Sequence, residues 1–284
     1  MNSRDIAIGA EQSDDLCLAL GIQSSGCELI SIVGGGGKSA LLFALGRALS
    51  GKSVLTTTTR IFANQLQRAS LSCSLADPEI EQRIAEASSG SLPNGLLVIG
   101  EIEGEKARGV PVDWPGRLLA RDGIDFVVIE ADGSRMRPAK APAPHEPVIP
   151  EDTTLLIVVA GIDALAGPIS LTCHRPERVC ELLGVDRDSS LRPDQLAKLM
   201  CHPQGGLKSA PPNARICLLI NKVESPSEQT RAREVAACAL SDCRIDRVLV
   251  GALQPADRGH ASADLSLGKA AWQIYRQSTE AAPT

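Results

Sequence analysis

Aromatic side chains are scarce in this chain: Phe43, Phe62, Trp114, Phe126, Trp272 and Tyr275 make up only 2% of 284 residues. That scarcity excludes the stacking platform a single-stranded nucleic-acid binder needs. An excess of basic residues is also lacking. Lys and Arg total 29 against 34 Asp and Glu, for a formal charge of -5 and a pI near 5.5. Nonspecific attraction to nucleic acid or to an anionic membrane is therefore disfavoured. No apolar run reaches the about 18 residues of a membrane span; the closest stretch, from Leu155, meets Asp163 and Pro168. CxxC pairs are missing among the nine cysteines, which in a chain this long read as reduced, mostly buried thiols. Asp5, Glu11, Asp14 and Asp15 stand where an export signal would be basic and apolar. A cytoplasmic protein is expected, with no nucleic-acid or membrane partner.

What is present is a normal globular composition, 43% hydrophobic and 22% charged. Apolar β-branched runs predict buried strands over Leu29–Val33, Phe126–Glu130, Leu155–Ala160 and Ile216–Ile220. Weaker runs cover Ser53–Thr57, Leu96–Glu101 and Arg247–Val250. Helical patterns lie between them, at Ser39–Leu49, Phe62–Arg68, Pro78–Ala87, Arg175–Leu183, Pro193–Met200 and Ser227–Leu240. Strands without polar alternation, separated by helices, indicate an α/β doubly wound, mostly parallel sheet. One P-loop NTPase-like domain over 1–284 is expected, with an inserted segment about 61–123 and a helical segment about 174–210. Ligands of such a sheet sit at the carboxyl ends of its strands.

The strict phosphate-loop spacing GxxxxGK[ST] occurs at Gly46–Ser53, where a helix would run into a strand. A phosphate cradle needs the opposite order, so this match is rejected. Gly34-Gly35-Gly36-Gly37-Lys38-Ser39 instead leaves an apolar strand and opens an amphipathic helix. Its glycines permit positive φ and close approach of amides to phosphate. Lys38 would contact the β- and γ-phosphates, and Ser39 would place its hydroxyl on Mg²⁺. Glu130 and Asp132 end a later apolar strand two residues apart, and either can hold that cation. The threonines of Leu55–Arg60 can answer the γ-phosphate or simply favour a strand. Asn221-Lys222-Val223-Glu224 resembles the guanine-reading NKxD of P-loop proteins, with glutamate for aspartate, so GTP is favoured over ATP.

Between Gly133 and Pro150 five prolines exclude a helix or inner strand, and Arg135, Arg137 and Lys140 make the segment basic. These cations can bind an anionic substrate or complete the phosphate site. The histidines and cysteines show no zinc spacing, so no metal beyond Mg²⁺ is expected.

Together these stretches resemble the YqeC family, described as selenium-dependent hydroxylase accessory or selenium cofactor biosynthesis proteins. The resemblance rests on Ile32–Ser39, Val54–Phe62, Ile129–Arg135, Lys140–Pro150, His174–Glu177 and Leu219–Val223, in family order. Met136 stands where the family frequently has the glycine that a tight turn after Arg135 favours. The resemblance implies a P-loop NTPase-like protein that helps mature selenium-dependent molybdenum hydroxylases, with a client hydroxylase or cofactor-maturation proteins as partners. In the leading reading Lys38, Asp132 and Arg135 are catalytic, while Ser39 and Asp132 hold the metal. The alternatives are a nucleotide-gated chaperone without significant turnover and a small-molecule kinase or transferase.

Overall fold

A strand whose consecutive side chains are all apolar has no solvent face, so helices must cover it above and below. The computed structural model describes residues 8–23, 26–49, 52–69, 71–92, 95–253 and 271–277. Ser50 and Gly51 of the rejected phosphate-loop match, and the C-terminal tail 280–284, lie outside them. The first half of the chain forms β1 (Ile8–Ser13), α1 (Leu16–Leu20), β2 (Glu28–Gly34), α2 (Lys38–Ala48), β3 (Ser53–Thr57), β4 (Ile61–Phe62), a 3-10 helix (Ala63–Arg68), β5 (Leu71–Ser74), α3 (Ile80–Ser88), β6 (Leu96–Ile99), β7 (Glu101–Glu103), β8 (Lys106–Arg108), α4 (Trp114–Leu119) and β9 (Phe126–Glu130). The second half forms β10 (Ala139–Lys140), β11 (Leu155–Gly161), a 3-10 helix (Ile162–Leu165), α5 (Ile169–Thr172), β12 (Cys173–His174), α6 (Pro176–Leu183), α7 (Pro193–Cys201), β13 (Arg215–Asn221), α8 (Pro226–Ala239), β14 (Arg247–Val250) and β15 (Trp272–Gln277).

Ten strands make one sheet in the order β1-β15-β14-β13-β11-β2-β9-β3-β6-β5. From β14 to β5 every pairing is parallel. At one edge β15 is reversed, pairing antiparallel with both β14 and β1. Leu41, Leu42, Phe43 and Leu45 of α2 pack on one face with Ile30, Ile32 and Val128 of the sheet. On the other face α3, α4, α7 and α8 bury Ile84, Leu118, Leu196 and Val235 against Val33, Val127 and Leu218. The sheet is thus covered on both sides, as its strand composition requires. Local signals set the helix starts: Pro176, Pro193 and Pro226 lie in first turns, where a missing N–H costs nothing. Ser225 and Glu228 cap α8 reciprocally.

Some elements differ from the sequence reading. The segment Phe62–Arg68 is not an α-helix, because Ile61 and Phe62 pair with β8 before a 3-10 helix begins. Leu96–Glu101 is broken at Gly100, whose amide donates to Arg108 O and turns the chain into the β7–β8 hairpin. The segment 61–123 sends β5 and β6 into the central sheet. Of the cysteines, Cys73, Cys173 and Cys217 are buried while Cys27, Cys238 and Cys243 are exposed, so burial is less general than composition suggests. Among the described residues no helix is long and apolar enough to cross a membrane.

Candidate phosphate site

The carboxyl ends of β11, β2, β9 and β3 share one rim, and α2 starts from it. Gly34, Gly36 and Gly37 adopt positive φ of 101°, 72° and 137°, which places the N-terminus of α2 over the ends of the strands. Each loop glycine is also crowded. A Cβ at Gly34 would strike Val159 O, at Gly35 Arg137 O, at Gly36 the Gly161 amide, and at Gly37 the Asn221 side chain. The glycine run therefore answers first to backbone packing.

Hydrogen bonding departs from the expected cradle for the same reason. The Gly34 amide donates to both Asp132 oxygens at 3.1 Å. Those of Gly35 and Gly36 donate to Val159 O and Arg137 O. Three of the four loop amides are thus taken by protein acceptors. The amides of Lys38, Ser39 and Ala40, in the first turn of α2, keep no acceptor among the described residues.

Lys38 is 3% exposed. Its Nζ donates to Gly34 O at 2.8 Å and lies 3.3 Å from Asp132 and 3.7 Å from Glu130. The Ser39 hydroxyl donates to Glu130 Oε2 at 2.7 Å. Burial pushes the Glu130 carboxyl up from its ordinary range, against the pull of Lys38 and Ser39. The structure thereby separates the two acids. Glu130 reaches Ser39, whereas Asp132 is saturated by the Gly34 amide, Lys38 and, at 3.0 Å, Lys140.

Beyond Asp132 the charges continue alternately. Lys140 Nζ donates to Glu146 at 2.8 Å and to Gly133 O, and Glu146 receives both Nη groups of Arg175. Burial raises the Glu146 carboxyl, but hydrogen bonds from Lys140 and Arg175 outweigh it and hold the group at about 2. His174 is lowered to about 4 by burial and by the Arg175 and Lys140 charges. Lys140 is thus a buried strut. Arg137 also has a protein partner, donating to Leu171 O. Among the described residues, Arg135 alone of the three expected anion-binding cations is exposed with no hydrogen-bond or ion-pair partner. The sequence reading missed the roles of Glu146 and Arg175, although both lie in stretches that carry the family resemblance. Their pairing spans 29 residues, and no local spacing signals it.

Asn221 is 3% exposed and joins the rim from β13. Its Nδ2 donates to Gly36 O at 2.7 Å and its Oδ1 accepts from the Leu253 amide at 2.8 Å. Lys222, at φ 66°, pairs with Asp163 at 2.7 Å. Glu224 is exposed, and only its amide is engaged, by Glu228. The NKxE residues therefore do not converge: Asn221 braces the loop, Lys222 turns aside, and Glu224 faces solvent. Ser39 and Glu130 present two hard oxygen donors side by side, the type Mg²⁺ prefers. Among the described residues no three His, Cys, Asp or Glu groups are arranged to hold a metal.

A family profile described as YqeC protein matches residues 30–177. A curated relative from Escherichia coli (strain K12), described as uncharacterized protein YqeC, is 33% identical over 230 residues, or 80% of this chain and 88% of the relative. With a matched segment that contains the glycine loop, both acids and the Lys140–Arg175 network, this chain belongs to the YqeC family.

Proposed function

We propose that the rim binds Mg²⁺ with a nucleoside triphosphate, GTP in preference to ATP, and hydrolyses it in support of selenium-dependent molybdenum hydroxylase maturation. The observation that carries this reading is the convergence of Lys38, Ser39 and Glu130 at the N-terminus of α2. There a buried cation, a hydroxyl and a carboxylate meet helix amides without acceptors. Such a terminus attracts phosphate through its N–H groups and dipole. Ser39 and Glu130 would hold the cation, whose chemistry is to draw charge from the phosphate oxygens. Magnesium binds through few protein ligands and keeps several waters, which two donors suit.

Lys38 is positioned to stabilise negative charge developing on a terminal phosphoryl group. A phosphate there competes with Asp132 for the ammonium, and Lys140 keeps the displaced carboxylate paired. Arg135 is the remaining cation free to reach a polyphosphate. Asn221 contributes by fixing Gly36, and base preference falls to Glu224, whose carboxylate can accept from a guanine edge. The link to hydroxylase maturation comes from family resemblance, with a client hydroxylase as partner.

The test is calorimetric titration of GTP and of ATP, with and without Mg²⁺. Wild type is expected to bind GTP more tightly, and only with the cation. Ser39→Ala is expected to weaken binding about tenfold, and Glu224→Ala to erase the preference for GTP. Binding of neither nucleotide would overturn the reading; an ATP preference would overturn only the base assignment.

A further inference from the structure

A second concavity opens on the same rim, one strand beyond Glu130. Its floor is tied to the phosphate site: the Thr58 amide donates to Glu130 O at 3.2 Å and the Thr57 hydroxyl to the same atom at 2.8 Å. The cleft has a volume of about 550 Å³, within the roughly 300–1,000 Å³ of small-molecule sites. That is far more than a bare phosphate fills. Leu75, Val110 and Pro111 supply its apolar lining, and two arginines, Arg60 and Arg108, outnumber the one lining carboxylate, Glu101. Gly100 and Gly109 also line it, and they pack so closely that a Cβ at Gly100 would strike Gly109 O and one at Gly109 the Thr58–Thr59 backbone.

Charge identifies the ligand class. Arg60 and Arg108 share a single carboxylate, with Glu103 Oε2 3.3 Å from Arg60 and Oε1 against Arg108. All three side chains are solvent-accessible, so this pairing is weak and exchangeable. Two guanidinium forks match a group bearing about two negative charges and three acceptor oxygens better than one monovalent carboxylate. We propose that this cleft binds a phosphomonoester of a small organic molecule. Its phosphate replaces Glu103 between Arg60 and Arg108, and its organic body packs on Leu75, Val110 and Pro111. The binding stands on the cleft alone. That the bound molecule lies beside a nucleotide's terminal phosphate rests on the reading given under Proposed function, and would make it the second substrate of that site.

Phenyl phosphate, which joins a dianion to an apolar body, is the probe. Amide signals of Thr59, Gly100 and Gly109 report the cleft in a nuclear magnetic resonance titration, and those of Lys38, Ser39 and Ala40 report the phosphate loop. Saturable shifts are expected at the cleft amides, with tighter binding than inorganic phosphate shows. The exposed double variant Arg60→Gln/Arg108→Gln is expected to raise the cleft Kd at least about tenfold. Shifts confined to Lys38–Ala40, no saturable shift at the cleft, or cleft shifts indifferent to the double variant would each overturn the proposal. Shifts at the loop alone would leave the nucleotide reading standing. Cleft binding combined with failure of GTP and ATP to bind would remove that reading and keep the cleft.

Discussion

Among the described residues, four of the five non-glycine residues with positive φ lie just after strands β9, β12 and β13: Arg135 at 49°, Met136 at 61°, Arg175 at 59° and Lys222 at 66°. Left-handed backbone costs an ordinary side chain about 1–2 kcal/mol, so the surrounding structure imposes these conformations. Met136 shows it most simply, because it is 87% exposed and its side chain gains little from packing. Met136→Gly is expected to stabilise the protein by up to about 1 kcal/mol, after the entropy glycine adds to the unfolded chain; urea denaturation measures this, and a loss of stability would show that Met136 contributes a contact of its own. Asn221 is the opposite case, a buried group whose two hydrogen bonds are both used. Asn221→Asp sets an acceptor against Gly36 O and leaves that carbonyl unpaired. The expected cost is about 2–3 kcal/mol, read as a lower urea midpoint at unchanged slope. The motif was visible in the sequence, but its bracing role was not, since Gly36 lies 185 residues away.

At the scale of elements, the proline-rich arm is held by its own carbonyls. Prolines donate no backbone hydrogen bond, so the arm joins a ladder only briefly, where Ala139 and Lys140 pair with β12, and elsewhere needs donors from other segments. Lys208 supplies its ammonium to Ala143 O, Pro144 O and Glu146 O, and Arg178 donates to Pro142 O at 2.8 Å. Further along, Val148 amide donates to Ala131 O and Val148 O accepts from Thr58 at 2.6 Å. The arm thus spans from the β9 loop to the β3 loop. Lys208→Met removes one three-donor clamp and is expected to cost about 1–3 kcal/mol. Faster hydrogen exchange at the Glu146 and Val148 amides would follow, with α8 unaffected; equal protection in wild type and variant would refute the clamp. Five prolines made the segment's irregularity legible, while its anchors on α6 and after α7 depend on chain reversal that no local pattern contains.

For the whole molecule, the charge network from Lys38 to Arg175 sets the response to acid. His174 is held at about 4 against an ordinary 6.5, so the fold keeps it neutral while the unfolded chain protonates. Its contribution is complete above pH 6.5 and is lost as pH falls toward 4. Glu146, at about 2 against 4.5, contributes fully above pH 4.5 and loses that contribution between 4.5 and 2. Stability is therefore expected to fall by about 1 kcal/mol between pH 7 and 4, allowing for partial solvent screening, and more steeply below. Urea midpoints across pH measure this. His174→Gln is expected to flatten the curve above pH 4 alone, and an unchanged slope in that variant would show that other groups carry it.

Composition and strand pattern determined the layered α/β architecture without tertiary knowledge. Runs such as Leu155–Gly161 and Phe126–Glu130 have only one way to hide both faces. The position of Lys38 and Ser39 at a strand-to-helix junction was equally local, because glycines, strand and helix are contiguous. Tertiary structure alone decided which acid meets Ser39, which loop amides stay free and which cations remain available. Asp132 was drawn to Lys140, and Gly35 and Gly36 were drawn to Val159 and Arg137, partners far outside any local pattern for the glycines. A buried donor or charge must find a partner wherever the fold provides one, and that supply exists only once distant strands lie side by side.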